Sequence, residues 1–366
     1  MITISLCMIA KNEENCLDKC LHSVSDIVDE IIVVDTGSTD NTINIIKKYA
    51  DKVYNFKWIN DFSAARNYSF SQATKEYILW LDADDLLLEE DRIKLIELKN
   101  NLDSSIDFVG MMYDYSFDEN GKCSYSFRRN RLVKNFKGFY WDCFMHERLN
   151  VWGSNKDYDI HITHTRKHDN TERNVENFRR KMLENYYLNP RETYYYGGEL
   201  YAGGYYDDAI RVLEDFLTKE YDDNYDKINA LTSLSSCYSI KRDYGKAIEC
   251  CLKTFNYAVP KAEICYKLAS YFQSLKRYYE AIFWFKSTLE AESPNSNLMK
   301  VDANWINYLP HQQLCCCYYE IGDIENSNKH NEMAARYIPN DPYVLQNREL
   351  FKGLGLTEAK SYNNNN

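Results

Sequence analysis

The sequence predicts an α/β domain followed by an all-α solenoid of paired helices. Three observations carry that prediction. Over residues 1–169, short apolar runs alternate with stretches whose apolar residues return at helical spacing. Beyond Asn170 such runs vanish, and amphipathic helices continue to about Leu356. Within that second half, a large residue and a small one recur together, at Tyr206/Ala209, Tyr244/Ala247, Tyr278/Ala281 and Ile324/Ser327.

Residues 2–9 read as a first strand, ending at Ala10-Lys11-Asn12-Glu13. A helix over 16–24 leads to a second strand, 31–34, which runs into Asp35-Thr36-Gly37-Ser38-Thr39-Asp40. A helix over 43–49, a short strand over 53–56 and a helix over 63–74 follow. The fourth strand, 77–81, delivers three carboxylates in four positions, Asp82-Ala83-Asp84-Asp85. Strands alternating with helices make a parallel sheet, which binds ligands at the carboxyl ends of its strands. Glu13, Asp35, Asp82 and Asp84 are therefore expected on one rim. If the fourth strand continues extended, Asp82 and Asp84 share a side, and hard oxygen ligands there suit Mg²⁺ or Mn²⁺. The plainer alternatives are that Asp84 or Asp85 caps a helix over 86–98 and that Ser38 and Asp40 cap the helix after the second strand.

Ala10-Lys11-Asn12-Glu13, Asp35 to Asp40, Asp61-Phe62-Ser63-Ala64-Ala65-Arg66-Asn67 and Asp82-Ala83-Asp84-Asp85 stand in an order and spacing that resembles family-two glycosyltransferases. The resemblance covers about the first 165 residues. It implies a GT-A-like, Rossmann-like nucleotide-sugar domain over 1–169. Carried onto this sequence, it implies that Glu13 and Asp35 contact the uridine or an equivalent nucleoside. It also implies that Asp82 touches the ribose or the metal, that Asp84 is the main metal ligand, and that Arg66 lies near the diphosphate or sugar. The chemistry agrees, since a carboxylate accepts the N–H donors of a base and a cation offsets the charge of a departing diphosphate. For Arg66 the alternative is a helix-surface residue paired with Asp61.

Residues 108–133 alternate as a hairpin around Asp118-Glu119-Asn120-Gly121. Arg128 and Arg131 in it reach either phosphate or solvent. The aromatic segment 139–149 holds two acids. Inverting sugar transfer needs a carboxylate base, and Glu147 is the first candidate, Asp142 the second; alternatively Glu147 pairs with Arg148 or His146. A last strand over 160–166 carries His161 and His164, read as sharing one face. The resemblance implies that a histidine here completes the metal site, and His164 fits that position better than His161.

The aligned small residues of the second half lie 38, 34 and 46 positions apart. Over about 190–341 these units resemble tetratricopeptide repeats, whose period is about 34. The longest gap holds Ser293-Pro294-Asn295-Ser296-Asn297, read as an inserted loop. Stacked helix pairs form a concave surface that holds an extended acceptor or pairs two copies as a homodimer. The repeat domain is drawn over 170–356, with a disordered Asn-rich tail over 357–366.

Composition narrows the function. With 44 basic against 55 acidic residues the net charge is −11, which disfavours a nucleic-acid partner. No apolar run reaches the roughly 20 residues of a membrane span, and residues 1–9 carry no basic leader, so a cytoplasmic protein without a transmembrane segment is expected. The 12 cysteines, several adjacent in helical patterns, read as buried free thiols and not as disulfides or a zinc site. With the resemblance to family-two glycosyltransferases, the expectation is a metal-dependent, inverting glycosyltransferase using Mn²⁺ or Mg²⁺ and a nucleotide-sugar, UDP-linked, with a protein, peptide or glycan acceptor. The rival from another class is a catalytically inactive scaffold that recruits partners through its repeats. A nucleotidyltransferase would need a glycine-rich basic loop after the first strand, and Ala10 to Glu13 does not supply one.

Overall fold

The computed structural model describes residues 1–118, 121–165, 170–291 and 307–356. Glu119 and Asn120 of the hairpin turn, Arg166, the loop at 293–297 and the tail at 357–366 lie outside the described residues. By contacts the chain divides into two units, the first ending at Leu183 and the second beginning at Glu184. The helix Thr171–Leu183 thus packs with the first unit, although its composition matches the helical half.

The first unit is built on an eight-stranded sheet. Its first half is parallel: β1 (Ile4–Ala10) lies between β2 (Glu30–Asp35) and β4 (Tyr77–Trp80), and β3 (Lys52–Asn55) flanks β2. Every residue of β2 and β4 is buried, because helices cover both faces, and this is why these strands read as unbroken apolar runs. Helices α1 (Leu17–His22), α2 (Thr42–Tyr49) and α3 (Phe62–Ser71) make the crossovers. The second half turns antiparallel: β7 (Cys123–Lys134) pairs with β4 and with β6 (Phe108–Phe117), and β10 (Asn155–His164) runs parallel to β6.

One segment departs from expectation. After Trp80 the chain does not stay extended: the Asp85 N–H donates to the Asp82 carbonyl at 3.0 Å, closing a turn. A two-residue strand, β5 (Asp85–Leu86), then pairs with β10, matching Asp85 with His164. The following helix, α4 (Glu89–Asn101), starts only at Glu89 with no side-chain cap, so neither Asp84 nor Asp85 caps it. A small hairpin of β8 (Tyr140–Asp142) and β9 (Arg148–Asn150) and the helix α5 (Thr171–Leu183) complete the unit.

The second unit consists of helix pairs. They are α6 (Pro190–Ala202) with α7 (Tyr206–Thr218), α8 (Asn224–Ile240) with α9 (Tyr244–Lys253), α10 (Ala262–Ser274) with α11 (Tyr278–Glu290), and α12 (Leu309–Glu320) with α13 (Ile324–Ala335). A further helix, α14 (Pro342–Gly353), packs on α13. The small residues aligned in the sequence, Ala209, Ala247, Ala281 and Ser327, are all fully buried, where only a small side chain lets neighbouring helices approach. At Gly197 in α6 an added Cβ would meet Leu213 of α7 at 2.4 Å. The turn inside each pair carries one residue of positive φ: Gly204, Arg242, Lys276 and Gly322. All 12 cysteines are free thiols.

Candidate active site

The carboxyl ends of β1, β2 and β4 lie side by side, with Ala10 opposite Asp35 and Cys7 opposite Trp80. The loops that follow are laced together. Asn12, at φ 56°, donates its N–H to the Ser38 hydroxyl at 3.0 Å and accepts the Thr39 N–H at 2.8 Å. The Glu13 N–H donates to the Thr42 hydroxyl at 2.7 Å. Ser38 therefore ties two loops and caps no helix, whereas Asp40 accepts the Thr42 N–H at 3.0 Å in the first turn of α2. Asp35 is buried, and its carboxylate accepts the N–H groups of Gly37 and Ser38 at 3.0 and 3.1 Å. Gly37 stands at φ 106°, a conformation that suits glycine. Glu13 is half-buried, and the Cys16 thiol donates to it at 3.1 Å.

Helix α3 organises a second group. Asp61 caps it by accepting the Ala64 N–H at 2.9 Å, so Asp61 does not pair with Arg66. Asn67 grips Trp141 through both its backbone groups, each at 2.8 Å. The Ser63 hydroxyl donates to the Cys143 carbonyl, and the Phe62 N–H to the Phe144 carbonyl at 2.9 Å. Held at these points, the 141–147 segment turns back through positive φ at Cys143 and His146 and presents Glu147 to Arg66. Arg66 is 7% exposed; its Nε donates to Glu147 at 2.7 Å and its Nη2 to Asp82 at 2.6 Å. Its guanidinium carbon lies 4.8 Å from the ring centre of Trp141 and 5.2 Å from that of Trp80. Arg66 is thus a buried bridge between two acids, and Glu147 pairs with it and not with Arg148 or His146. Burial opposes the charge on Asp82, but Arg66, then Arg131 and Arg129, outweigh it and hold the carboxyl well below the usual range. Asp142, the second candidate base, accepts the N–H of its neighbour Cys143 at 2.9 Å.

The third group is the potential metal centre. Asp84, Asp85 and His164 each offer a ligand atom, all within 4.8 Å of one another. Asp82 does not join them, because the turn at Asp82–Asp85 sends its carboxylate to Arg66. Asp85 is buried against the equally buried Arg131 at 2.8 Å, and its second oxygen has no hydrogen-bond partner. Burial and the neighbouring Asp82, Asp85 and Glu13 push the Asp84 carboxyl up to about 7. An orphaned buried oxygen beside a carboxyl crowded by like charges fits a divalent cation with oxygen and imidazole ligands. His164 is pushed down by burial, with Arg129 and Arg131 adding to that and Asp85 and Asp82 opposing it, so its imidazole is neutral and free to ligate at neutral pH. The two histidines do not share a face. Being three positions apart on β10, they point oppositely: His164 Nδ1 lies 3.0 Å from the Tyr113 hydroxyl, whereas both nitrogens of His161 are engaged by Asp114 and Asp159.

Arg131, read as reaching either phosphate or solvent, is spent on Asp85, with its guanidinium 3.9 Å from the Trp80 ring centre; Arg128 pairs with Asp157 at 3.4 Å. The residues missed from sequence are Arg129, Trp80, Trp141 and Tyr113. For Tyr113 and Arg129 the signal was present in the aromatic run Tyr113 to Phe117 and in Phe127 to Arg131, but the register that pairs Tyr113 with Phe127 and stacks Arg129 on both became visible only in the fold.

The model of the family described as glycosyl transferase family 2 matches residues 5–162, which include every site residue above except His164. Over these residues the chain is similar to that family. Among relatives, a TPR repeat-containing protein of Synechococcus elongatus is 41% identical over 137 residues, 37% of this chain and 32% of that protein. The glycosyltransferase SunS of the SPbeta prophage of Bacillus subtilis is 30% identical over 259 residues, 66% of this chain and 60% of that protein. The chain thus spans about a third and three-fifths of the length of these two relatives. A crystal structure of MamA covers 46% of this chain and 87% of its own, at 19% identity and a TM-score of 0.36. The chain thus carries a domain that matches glycosyl transferase family 2, followed by the helix pairs described above. Among the described residues no helix is long and apolar enough to cross a membrane.

Proposed function

We propose that this chain is a metal-dependent, inverting glycosyltransferase that takes a sugar from a nucleotide-sugar, UDP-linked, and gives it to a protein, peptide or glycan positioned by the helical repeats. The observation that carries the reading is the cluster of Asp84, Asp85 and His164 on the rim that also bears Glu13 and Asp35. Asp84 and His164 would hold the cation, with the second oxygen of Asp85 beside them. A bound Mn²⁺ or Mg²⁺ supplies positive charge against the diphosphate. Asp35 and Glu13 accept from the nucleoside, and Asp82, fixed by Arg66, faces the ribose. Arg66 acts as a positioning residue: it holds Glu147 in place through one oxygen and leaves the other to act as base. Glu147 takes the acceptor's proton as the acceptor oxygen bonds to the anomeric carbon. The bond from that carbon to the phosphate oxygen breaks, and its electron pair leaves with the nucleoside diphosphate.

The test is Asp84→Ala. We expect it to abolish metal-dependent donor turnover while the melting temperature stays at the wild-type value or above, because a crowded carboxylate is removed. Full turnover in that variant would overturn the metal assignment. Sedimentation of the full chain decides whether the repeats pair two copies.

A further inference from the structure

Four arginines lie on or beside this sheet, Arg66, Arg129 and Arg131 around Trp80 and Arg128 elsewhere on β7, and three are already committed. Arg66 is taken by Asp82 and Glu147, Arg131 by Asp85, and Arg128 by Asp157. The side chain of the fourth, Arg129 on β7, has no hydrogen-bond or ion-pair partner among the described residues. Its guanidinium is half-buried and rests on three aromatic rings, with its carbon 5.0 Å from the centre of Tyr113, 5.4 Å from Phe127 and 5.6 Å from Trp80.

Those rings also fix where Arg129 stands. The Tyr113 hydroxyl is 3.0 Å from His164, so the residue under Arg129 touches the candidate metal centre directly. The charge of Arg129 reaches Asp82 and His164. A planar cation stacked on its faces keeps its five N–H donors pointing outward at its edge. Stacking lowers the entropy lost when that edge is used, and the fork matches the paired oxygens of a phosphate. The acids of the site cannot be its intended partners, since Asp82 and Asp85 already hold Arg66 and Arg131.

We infer that Arg129 binds the diphosphate of the donor, at the edge of the metal centre, the task the sequence had suggested for Arg66. This deepens the glycosyltransferase reading and rests on it for the identity of the anion. Arg129 touches no bond that breaks; it neutralises charge on the group that leaves.

The test is calorimetric titration of the full-length protein with inorganic pyrophosphate, with UDP and with uridine, each with and without Mn²⁺. The proteins compared are wild type, Arg129→Met and Arg129→Lys, with melting curves for all three. We expect Arg129→Met to weaken pyrophosphate and UDP about ten- to hundredfold, the loss of one or two charge-assisted hydrogen bonds, and to leave uridine unchanged. Arg129→Lys keeps the charge without the fork and should recover part of the loss. It also serves as the deciding variant if the methionine protein does not fold, by a severalfold loss confined to the two phosphate ligands. Equal affinities in wild type and variants, with only the melting temperature moved, would overturn the inference and make Arg129 a packing residue. Pyrophosphate binding that depends on Arg129 in a protein that binds no UDP would uphold the anion site and sink the nucleotide-donor reading. Binding of neither ligand by wild type would overturn both.

Discussion

Arg66 Nε lies 2.7 Å from Glu147 Oε1, joining residues 81 positions apart in the chain. The same guanidinium holds Asp82 at 2.6 Å, so one buried cation balances two half-buried acids. Removing it strands both carboxylates, and breaking a buried pair costs about 3–5 kcal/mol. Arg66→Met should therefore lower stability by about that amount in urea unfolding of the protein. Arg66→Lys should restore little of it, since an ammonium on a single stem cannot bridge both acids and stack between Trp80 and Trp141. Wild-type stability in the lysine variant would show that charge alone matters here.

Asp85 and Arg131 form a fully buried pair, 2.8 Å apart. Asp85→Asn or Arg131→Met alone should destabilise by about 3–5 kcal/mol, because each leaves the other charge unpaired. The double variant should lose less than the sum of the singles, with a coupling of about 1–3 kcal/mol in a double-mutant cycle. Additive losses would contradict the pairing.

Glu30 is buried at the start of β2 and accepts from Lys52 at 2.8 Å, Ser5 at 2.6 Å and the Thr74 N–H at 2.9 Å. Burial raises its carboxyl, but these donors outweigh it and bring the value down from 4.5 to about 2. A depressed folded value stabilises above the unfolded value and is lost as pH falls through the folded one. Stability should thus fall between pH 4.5 and about 2, by about 2–3 kcal/mol from this group once the partial exposure of Lys52 is allowed for. Glu30→Gln should flatten the curve in that window, as followed by denaturation at stepped pH.

Lys276 and Arg242 occupy turn positions of positive φ, 58° and 61°, where Gly204 and Gly322 stand in the other helix pairs. Left-handed backbone costs an ordinary residue about 1–2 kcal/mol, partly offset because glycine loosens the unfolded chain. Lys276→Gly should stabilise the repeats by about 0.5–1 kcal/mol, seen as a rise in the melting temperature of the helical signal.

Much of the fold was legible because burial leaves a mark on composition. Strands covered on both faces, such as β1, β2 and β4, are apolar through their middles without alternation, and helices that pack closely need a small residue at the contact in each pair, as at Ala209, Ala247 and Ala281. Where sequence reading went astray, the determinant was not local. Extending β4 by alternation put Asp82 and Asp84 on one side, but a turn at Asp82–Asp85 separates them, and it is held by a hydrogen bond invisible to periodicity. His161 and His164 were read as sharing a face, which their three-residue spacing in a strand forbids. In Asp61 to Asn67 the important residues were recognised, but their partners, Trp141 to Glu147, lie far along the chain, so the role of Arg66 as a bridge could not be read. Strands of two or three residues, such as β5 and β8, carry no pattern of their own.

The most direct test of the central claim is binding and slow hydrolysis of a panel of nucleotide-sugars by the purified full-length protein, with Mn²⁺, with Mg²⁺ and with chelator. The account predicts that one donor, carrying UDP, binds and turns over with the cation and that chelation abolishes turnover. A folded protein that neither binds nor hydrolyses any donor would contradict the account and favour a scaffold that has kept the transferase fold without its reaction.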